Sequence, residues 1–244
     1  MIEPHGGDQH GAHAEPSGLS NSAGGLTLET AWVSKDDGGR MGTLEFRILD
    51  PDGGAVRDFD EQHDRTMHLM VVRRDLTQYR HLHPSMGADG TWSAPLTFPE
   101  GGVYRVFADF AAAGRSLTLG DDLEVPGTYE PVPLPDPVGA ERIGEYEVAL
   151  ASDVVAGGEA SLVFGVSRNG RPVEDLEPYL GALGHLVALR EGDLAFLHVH
   201  PETGEGSGPR TAFRATFPSG GRYRLFFQFA HEGRVHTAAF TVEV

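Results

Sequence analysis

The chain has 244 residues, with 36 acidic against 19 basic side chains and a formal net charge of -17. That balance excludes a nucleic-acid surface, because no basic stripe is available to neutralise phosphates. Cysteine is absent, so disulfides, thiolate metal sites and cysteine nucleophiles are excluded, and a metal must be held by His, carboxylate, Met or backbone.

Residues 1–24 are rich in Gly, Ser, Ala and His without an apolar period, and read as a disordered arm in which His5, His10 and His13 offer only loose metal contacts. No basic-then-apolar leader opens the chain and no apolar run spans a bilayer. Membrane attachment is therefore expected only through an N-terminal segment that this sequence lacks. From Leu26 the text turns strand-like, and Gly42 to Leu49 alternates cleanly between apolar and polar residues. Asp50-Pro-Asp-Gly-Gly54 reads as a turn. Strands are expected again from Trp92 to Leu96, from Gly102 to Phe110 and from Leu117 to Val125. Residues 126–142 are dense in proline and read as a stiff, extended linker. The remaining stretch, 143–244, repeats 25–125: Phe98-Pro-Glu-Gly-Gly-Val-Tyr-Arg matches Phe217-Pro-Ser-Gly-Gly-Arg-Tyr-Arg position for position. Short strands, frequent turns and no amphipathic helix predict an all-β protein of two tandem immunoglobulin-like β-sandwich domains related by internal repeat.

The most informative stretch occurs once in each half. His68-Leu-Met-Val-Val-Arg leads to His81-Leu-His83-Pro84, and His185-Leu-Val-Ala-Leu-Arg leads to His198-Val-His200-Pro201 with the same spacing. Each reads as a β-hairpin with a polar turn (Arg74 to Thr77, or Glu191 to Leu194). Centring the first hairpin on its turn sets His68 opposite His83 and Met70 opposite His81. Opposed residues, and residues two apart on one strand, share a face, so the three imidazoles of each hairpin should converge with Cβ atoms about 4.5–7 Å apart. Two metal sites are thus expected, His68/His81/His83 and His185/His198/His200.

Other ligands differ between the halves. His63 precedes His68 in a segment able to fold over the first site, and Met70 shares its face by parity, whereas Met67 points away. Imidazole with thioether favours copper, and a pure imidazole trio with an open position suits zinc or copper. Met70 is equally readable as core filling. In the second half only His231 and His236 remain, with His231 read as an exposed turn residue. Arg105 and Arg224 are read as ion-pair formers, with Asp109 a partner for the former. Asp75 and Asp193 are read as turn residues bonded to their own backbone.

Tyr179-Leu-Gly-Ala-Leu-Gly-His185, Phe196-Leu-His198-Val-His200-Pro201 and Phe227-Gln-Phe229 with Gly233-Arg-Val-His-Thr-Ala-Ala-Phe240 resemble a group of uncharacterised exported or envelope-anchored bacterial proteins associated with heavy-metal, especially copper, handling. His68 to Pro84 and Trp92 to Phe110 resemble the first half of two-domain members from high-GC Gram-positive bacteria. The resemblance implies an extracytoplasmic location, a metal-ligand role for the six hairpin histidines, and an envelope metal-handling protein as partner. The expected function is a non-enzymatic metal-binding protein, with copper or zinc as cofactor. Two rivals stand beside it: a tandem interaction module with hydrogen-bonded core histidines, and a cupin-like metalloenzyme using His198, His200, Glu205 and His236.

Overall fold

The computed structural model describes residues 17–197, 199–202 and 208–244, and it is built of antiparallel strands. The first half contains β1 (Ser22–Ala23), β2 (Leu26–Ser34), β3 (Met41–Leu49), β4 (His68–Arg73), β5 (Arg80–Leu82), β6 (Ser85–Met86), β7 (Trp92–Thr97), β8 (Gly102–Ala112) and β9 (Arg115–Val125). The second contains β10 (Ala140–Ile143), β11 (Tyr146–Ser152), β12 (Glu159–Arg168), β13 (Arg171–Pro172), β14 (His185–Arg190), β15 (Phe196–Leu197), β16 (Val199–Pro201), β17 (Arg210–Thr216), β18 (Arg222–His231) and β19 (Arg234–Glu243). No helix long and apolar enough to cross a membrane occurs among the described residues.

Each half is a pair of sheets. In the first, β1-β2-β3-β7-β6 lies over β5-β4-β8-β9; in the second, β10-β11-β12-β17-β16, with β13 on β12, lies over β15-β14-β18-β19. Apart from short edge strands, this is the ABED-over-CFG order of an immunoglobulin sandwich, with an added strand beside C. Both halves also carry the tyrosine corner of that fold: Tyr104 Oη donates to Glu100 O, and Tyr223 Oη to Ser219 O, each at 2.9 Å. The protein is therefore two tandem immunoglobulin-like sandwiches related by the repeat. Alternation decides the inner faces. Leu44, Phe46 and Ile48 of β3 and Leu162, Phe164 and Val166 of β12 enter the two separate cores.

The strands carrying the first histidines break that rule informatively. Every residue of β4 is buried. Leu69 and Val71 enter the first core, while Met70 and Val72 enter a third apolar cluster with Phe107, Val187, Leu189 and Phe226. That cluster joins the β4 sheet of one sandwich to the β14 sheet of the other. The two halves thus pack face to face, and residues at the parity of Met70 and Val187 are sealed between them. Tyr79 stacks on Phe226 across this seam with ring centroids 4.0 Å apart.

The segments flanking the sandwiches also bind them together. Residues 17–24, expected to belong to a disordered arm, are ordered: Ser17 exchanges backbone hydrogen bonds with Phe196, and Gly18 N donates to Thr118 O. A side chain at position 120 would stand 2.0 Å from Gly18 O, so Gly120 is what lets this segment lie on β9. His5, His10 and His13 lie outside the described residues. The proline-dense segment after β9 carries no strand until β10 begins at Ala140, sooner than the expected end of the linker, and it is pinned to both halves. Val132 N donates to Asp75 Oδ2 at 2.9 Å, and the Arg222 guanidinium donates to Leu134 O and Pro135 O at 3.0 and 2.6 Å.

Candidate metal centre

The first hairpin forms in the expected register. Leu69 pairs with Leu82, Met70 with His81 and Val71 with Arg80. His68, His81 and His83 consequently share one face, the face sealed by the second sandwich. Their donor nitrogens all lie within 4.8 Å of one another. His185, first residue of β14, faces them from the other half. Its ring centroid is 4.7 Å from that of His81 and 5.8 Å from that of His68, on which it stacks with planes 9° apart. His63 stands at the rim, exposed, with a left-handed φ of 49° and its ring 6.1 Å from those of both His68 and His185. One five-imidazole cluster therefore straddles the seam.

The hydrogen bonds fix which nitrogens are free. Gln62 O is an acceptor only, so His68 Nε2, 3.0 Å away, donates to it. His81 Nδ1 lies 2.7 Å from Gln228 Oε1 and donates to it, while Gln228 Nε2 donates to Thr237 Oγ1 at 3.2 Å. A neutral imidazole has one N–H, and both rings have used theirs on the outside of the cluster. The inner nitrogens, His68 Nδ1 and His81 Nε2, then present lone pairs to each other at 3.1 Å. A cation between them relieves that opposition, and bonds of about 2.0–2.1 Å place tetrahedral nitrogens about 3.3 Å apart. Outer acceptors that orient the ring are the usual second shell of a metal-binding histidine. His83 Nε2 is buried and has no hydrogen-bond partner among the described residues, which leaves a further ring nitrogen for a metal.

Electrostatics keep these rings neutral. Burial pushes His81 down to about 3 and His83 to about 4, and neighbouring imidazoles push the same way. His185 is lowered well below its ordinary value, by burial first and by His81 next. His68 is also lowered by burial, opposed by the Gln62 carbonyl and by Asp109, which pairs with it across β8. Neutral imidazole is the ligating form. A set of unprotonated nitrogens in a desolvated pocket can hold a metal ion.

Of the second expected trio, His185 and His200 are not brought together among the described residues. Val199, counterpart of Leu82 in the repeat, has already left the β14 sheet and pairs with Ala215 in the opposite one. His200, on β16 beside Arg214, is exposed and on a different sheet from His185. The chain changes sheets earlier here than in the first half, so His185 joins the first cluster instead. His198 lies outside the described residues, as does Glu205, and His200 and His236 occupy different sheets, so the cupin-like set is not brought together among the described residues. Met70 is fully buried in the apolar seam, opposite His81.

His231 is not an exposed turn residue. It is buried at the end of β18, with Nδ1 2.7 Å from Tyr146 Oη and Nε2 3.2 Å from Asp175 Oδ1. Arg105 pairs with Asp122 at 3.0 Å rather than with Asp109, which accepts from Thr118 at 2.7 Å. Arg224 forms no ion pair among the described residues; it donates to Thr241 Oγ1 at 3.0 Å, and burial lowers its pKa. Asp75 and Asp193 accept from Thr77 N and Ala195 N as read, and also hold Arg73 and Arg190. Gln228 was not singled out from the sequence as a site residue. Its signal was a lone amide in the aromatic run Phe226-Phe227-Gln228-Phe229, at the repeat position of Asp109.

Fold and cluster together define a tandem immunoglobulin-like protein with a histidine set able to hold a metal at the seam of its two halves. The chain belongs to the family described as Domain of unknown function (DUF8832), whose model matches residues 21–127 and 141–244. No curated protein matches the sequence. Among solved structures it is similar to a DUF4426 family protein from Pseudomonas aeruginosa, at 13% identity and a TM-score of 0.31 over 43% of this chain and 94% of that one. It is also similar to the titin immunoglobulin tandem A164-A165, at 12% identity and 0.22 over 88% and 95%. Domains 4 and 5 of the S-layer protein SbsC match at 11% identity and 0.24 over 89% and 96%.

Proposed function

We propose that the protein is a non-enzymatic metal-binding protein with one ion site per chain, built by His68, His81 and His83 and capped by His185 from the second sandwich. The observation that carries this reading is the 3.1 Å approach of two inner nitrogens whose rings have both given their only proton to outer acceptors. An imidazole-only donor set suits Zn(II) and Cu(II). The resemblance to exported, copper-associated proteins favours copper, an extracytoplasmic location and an envelope metal-handling protein as source or acceptor of the ion. Because His185 belongs to the other half, a bound ion also ties the two sandwiches together.

The rival reading, a tandem interaction module with structural histidines, draws on the hydrogen bonds that already engage His68 and His81. Among the described residues it leaves His83 Nε2 buried without a hydrogen-bond partner. Calorimetric titration of metal-free protein with Cu(II) and Zn(II) separates the two. One ion per chain at micromolar affinity or tighter, lost in His81→Ala, supports the metal site. Absence of saturable binding, or binding unchanged in His81→Ala, rules it out.

A further inference from the structure

Among the clustered histidines, His63 alone is exposed, yet its ring centre lies 6.1 Å from those of both His68 and His185. We infer that His63 is the exchange ligand of the seam site. It takes an ion from a small-molecule chelate in solution, passes it inward by way of His185, and releases it along the same route. This role rests on the metal reading above and adds the path by which the ion travels.

His63 and Asp64 are the central pair of a tight turn, closed by Gln62 N to Arg65 O at 2.7 Å and Arg65 N to Gln62 O at 3.0 Å. Both have positive φ, 49° and 60°, as a type I′ turn requires. The matching turn of the second half, Tyr179 to Ala182, has a buried Leu180 and Gly181 at those positions. The two turns meet at the seam, where a Cβ on Gly181 would stand 3.9 Å from Asp64 Oδ2. Glycine is the relaxed residue in such a conformation, so an imidazole held there at the edge of the cluster points to a use for the ring. The site itself fixes the frame. Gln62 O, which closes the turn, is also the acceptor that orients His68.

Two imidazoles sharing one ion have ring centres about 4.5–6.5 Å apart, given bonds of about 2.0–2.1 Å. His63 to His185 at 6.1 Å and His185 to His81 at 4.7 Å both fit that span. An ion can therefore gain its next nitrogen before it loses the last. Each step forms one metal–nitrogen bond as another breaks, with no change in oxidation state. An exposed side chain reorients within nanoseconds, which lets His63 turn its ring in or out. Asp64, exposed and in no ion pair among the described residues, adds a negative charge at this mouth. The other opening, a groove of about 440 Å³ on the Gln228 side of His81, is lined by Arg65 and by no carboxylate. There His81 Nδ1 already donates to Gln228 Oε1, and the guanidinium opposes an arriving cation.

The test uses the full chain in stopped flow, with Zn(II) carried by the chromophoric chelator 4-(2-pyridylazo)resorcinol. Mixing the chelate with metal-free protein gives the loading rate, and mixing loaded protein with excess EDTA gives the removal rate. His63→Gly is the variant of choice, because glycine adopts the left-handed turn without strain and only the ring is lost. Loading and removal should both slow by about tenfold while the equilibrium affinity stays within about threefold, since one barrier serves both directions. Free imidazole added to His63→Gly should restore both rates, a response that a merely structural role does not give. Unchanged rates in the variant, or slowed rates that imidazole does not restore, overturn the exchange role and leave the metal site standing. Faster removal with a larger loss of affinity also overturns it, because His63 is then a permanent ligand. If the wild type takes up no Zn(II), the metal reading fails and this role falls with it.

Discussion

Lowering the pH from 7.5 to 5.0 should destabilise the metal-free protein through its neutral buried histidines. In the unfolded chain each His titrates near 6.5, whereas burial holds folded His81 at about 3 and His83 at about 4. Between those values the unfolded state binds more protons, so stability is complete above pH 6.5 and falls as the pH drops toward the folded values. At pH 5.0 the penalty for one such residue is about 2 kcal/mol, from 1.36 kcal/mol per unit over the gap to 6.5. His83 is only half-buried and is counted at about half, so the pair contributes roughly 3 kcal/mol, with screening allowed for. His68 and His185 shift in the same direction and add to it. Carboxylates contribute little in this window, because Asp75 and Asp193 lie below 3.8 when folded and near that value when unfolded. Guanidinium chloride unfolding at pH 7.5, 6.5, 5.5 and 5.0, with chelator present, measures the effect. A His81→Gln variant should lose about 2 kcal/mol of the pH dependence. Stability that is flat across the range, or a slope unchanged in His81→Gln, would refute the neutral, desolvated cluster.

Three substitutions probe the site's parts. Gln228→Leu removes the acceptor that orients His81 and should weaken metal affinity about 10–100-fold in a titration, without moving the far-ultraviolet circular dichroism spectrum. Met70→Leu should leave Zn(II) and Cu(II) affinity within about threefold and cost less than about 1.5 kcal/mol in denaturant unfolding, because Met70 packs in the seam. A larger loss of affinity would return its sulfur to the ligand set. His200→Ala should change neither metal stoichiometry nor affinity, since His200 sits on the opposite sheet; a loss of one bound ion would restore the second trio.

Much of the fold and half of the site were legible because both rest on a period of two. That period gave the sandwiches their inner faces, placed Met70 opposite His81, and put three imidazoles of the first hairpin on one side. The second hairpin carries the same residues at the same spacing, yet the point where a strand leaves one sheet for the other is set by pairing with β17, which spacing does not encode. Pro84 falls between β5 and β6, whereas its counterpart Pro201 lies within β16, so the shared His-x-His-Pro text could not reveal the difference. The apolar residues on both faces of β4 and β14 signalled that each face is covered. They could not say that each covers the other, and that mutual packing is what brings His185 and Gln228 to His81.

The central claim is that one ion sits at the seam of the two halves, between His68 Nδ1 and His81 Nε2. Crystals grown from protein loaded with Zn(II) or Cu(II), with diffraction recorded on both sides of the metal absorption edge, test it most directly. A single anomalous peak per chain, within bonding distance of His68, His81 and His83 and on the His185 side of β4, is the expected result. A peak at His200, two peaks in separate halves, or none at the seam would contradict it.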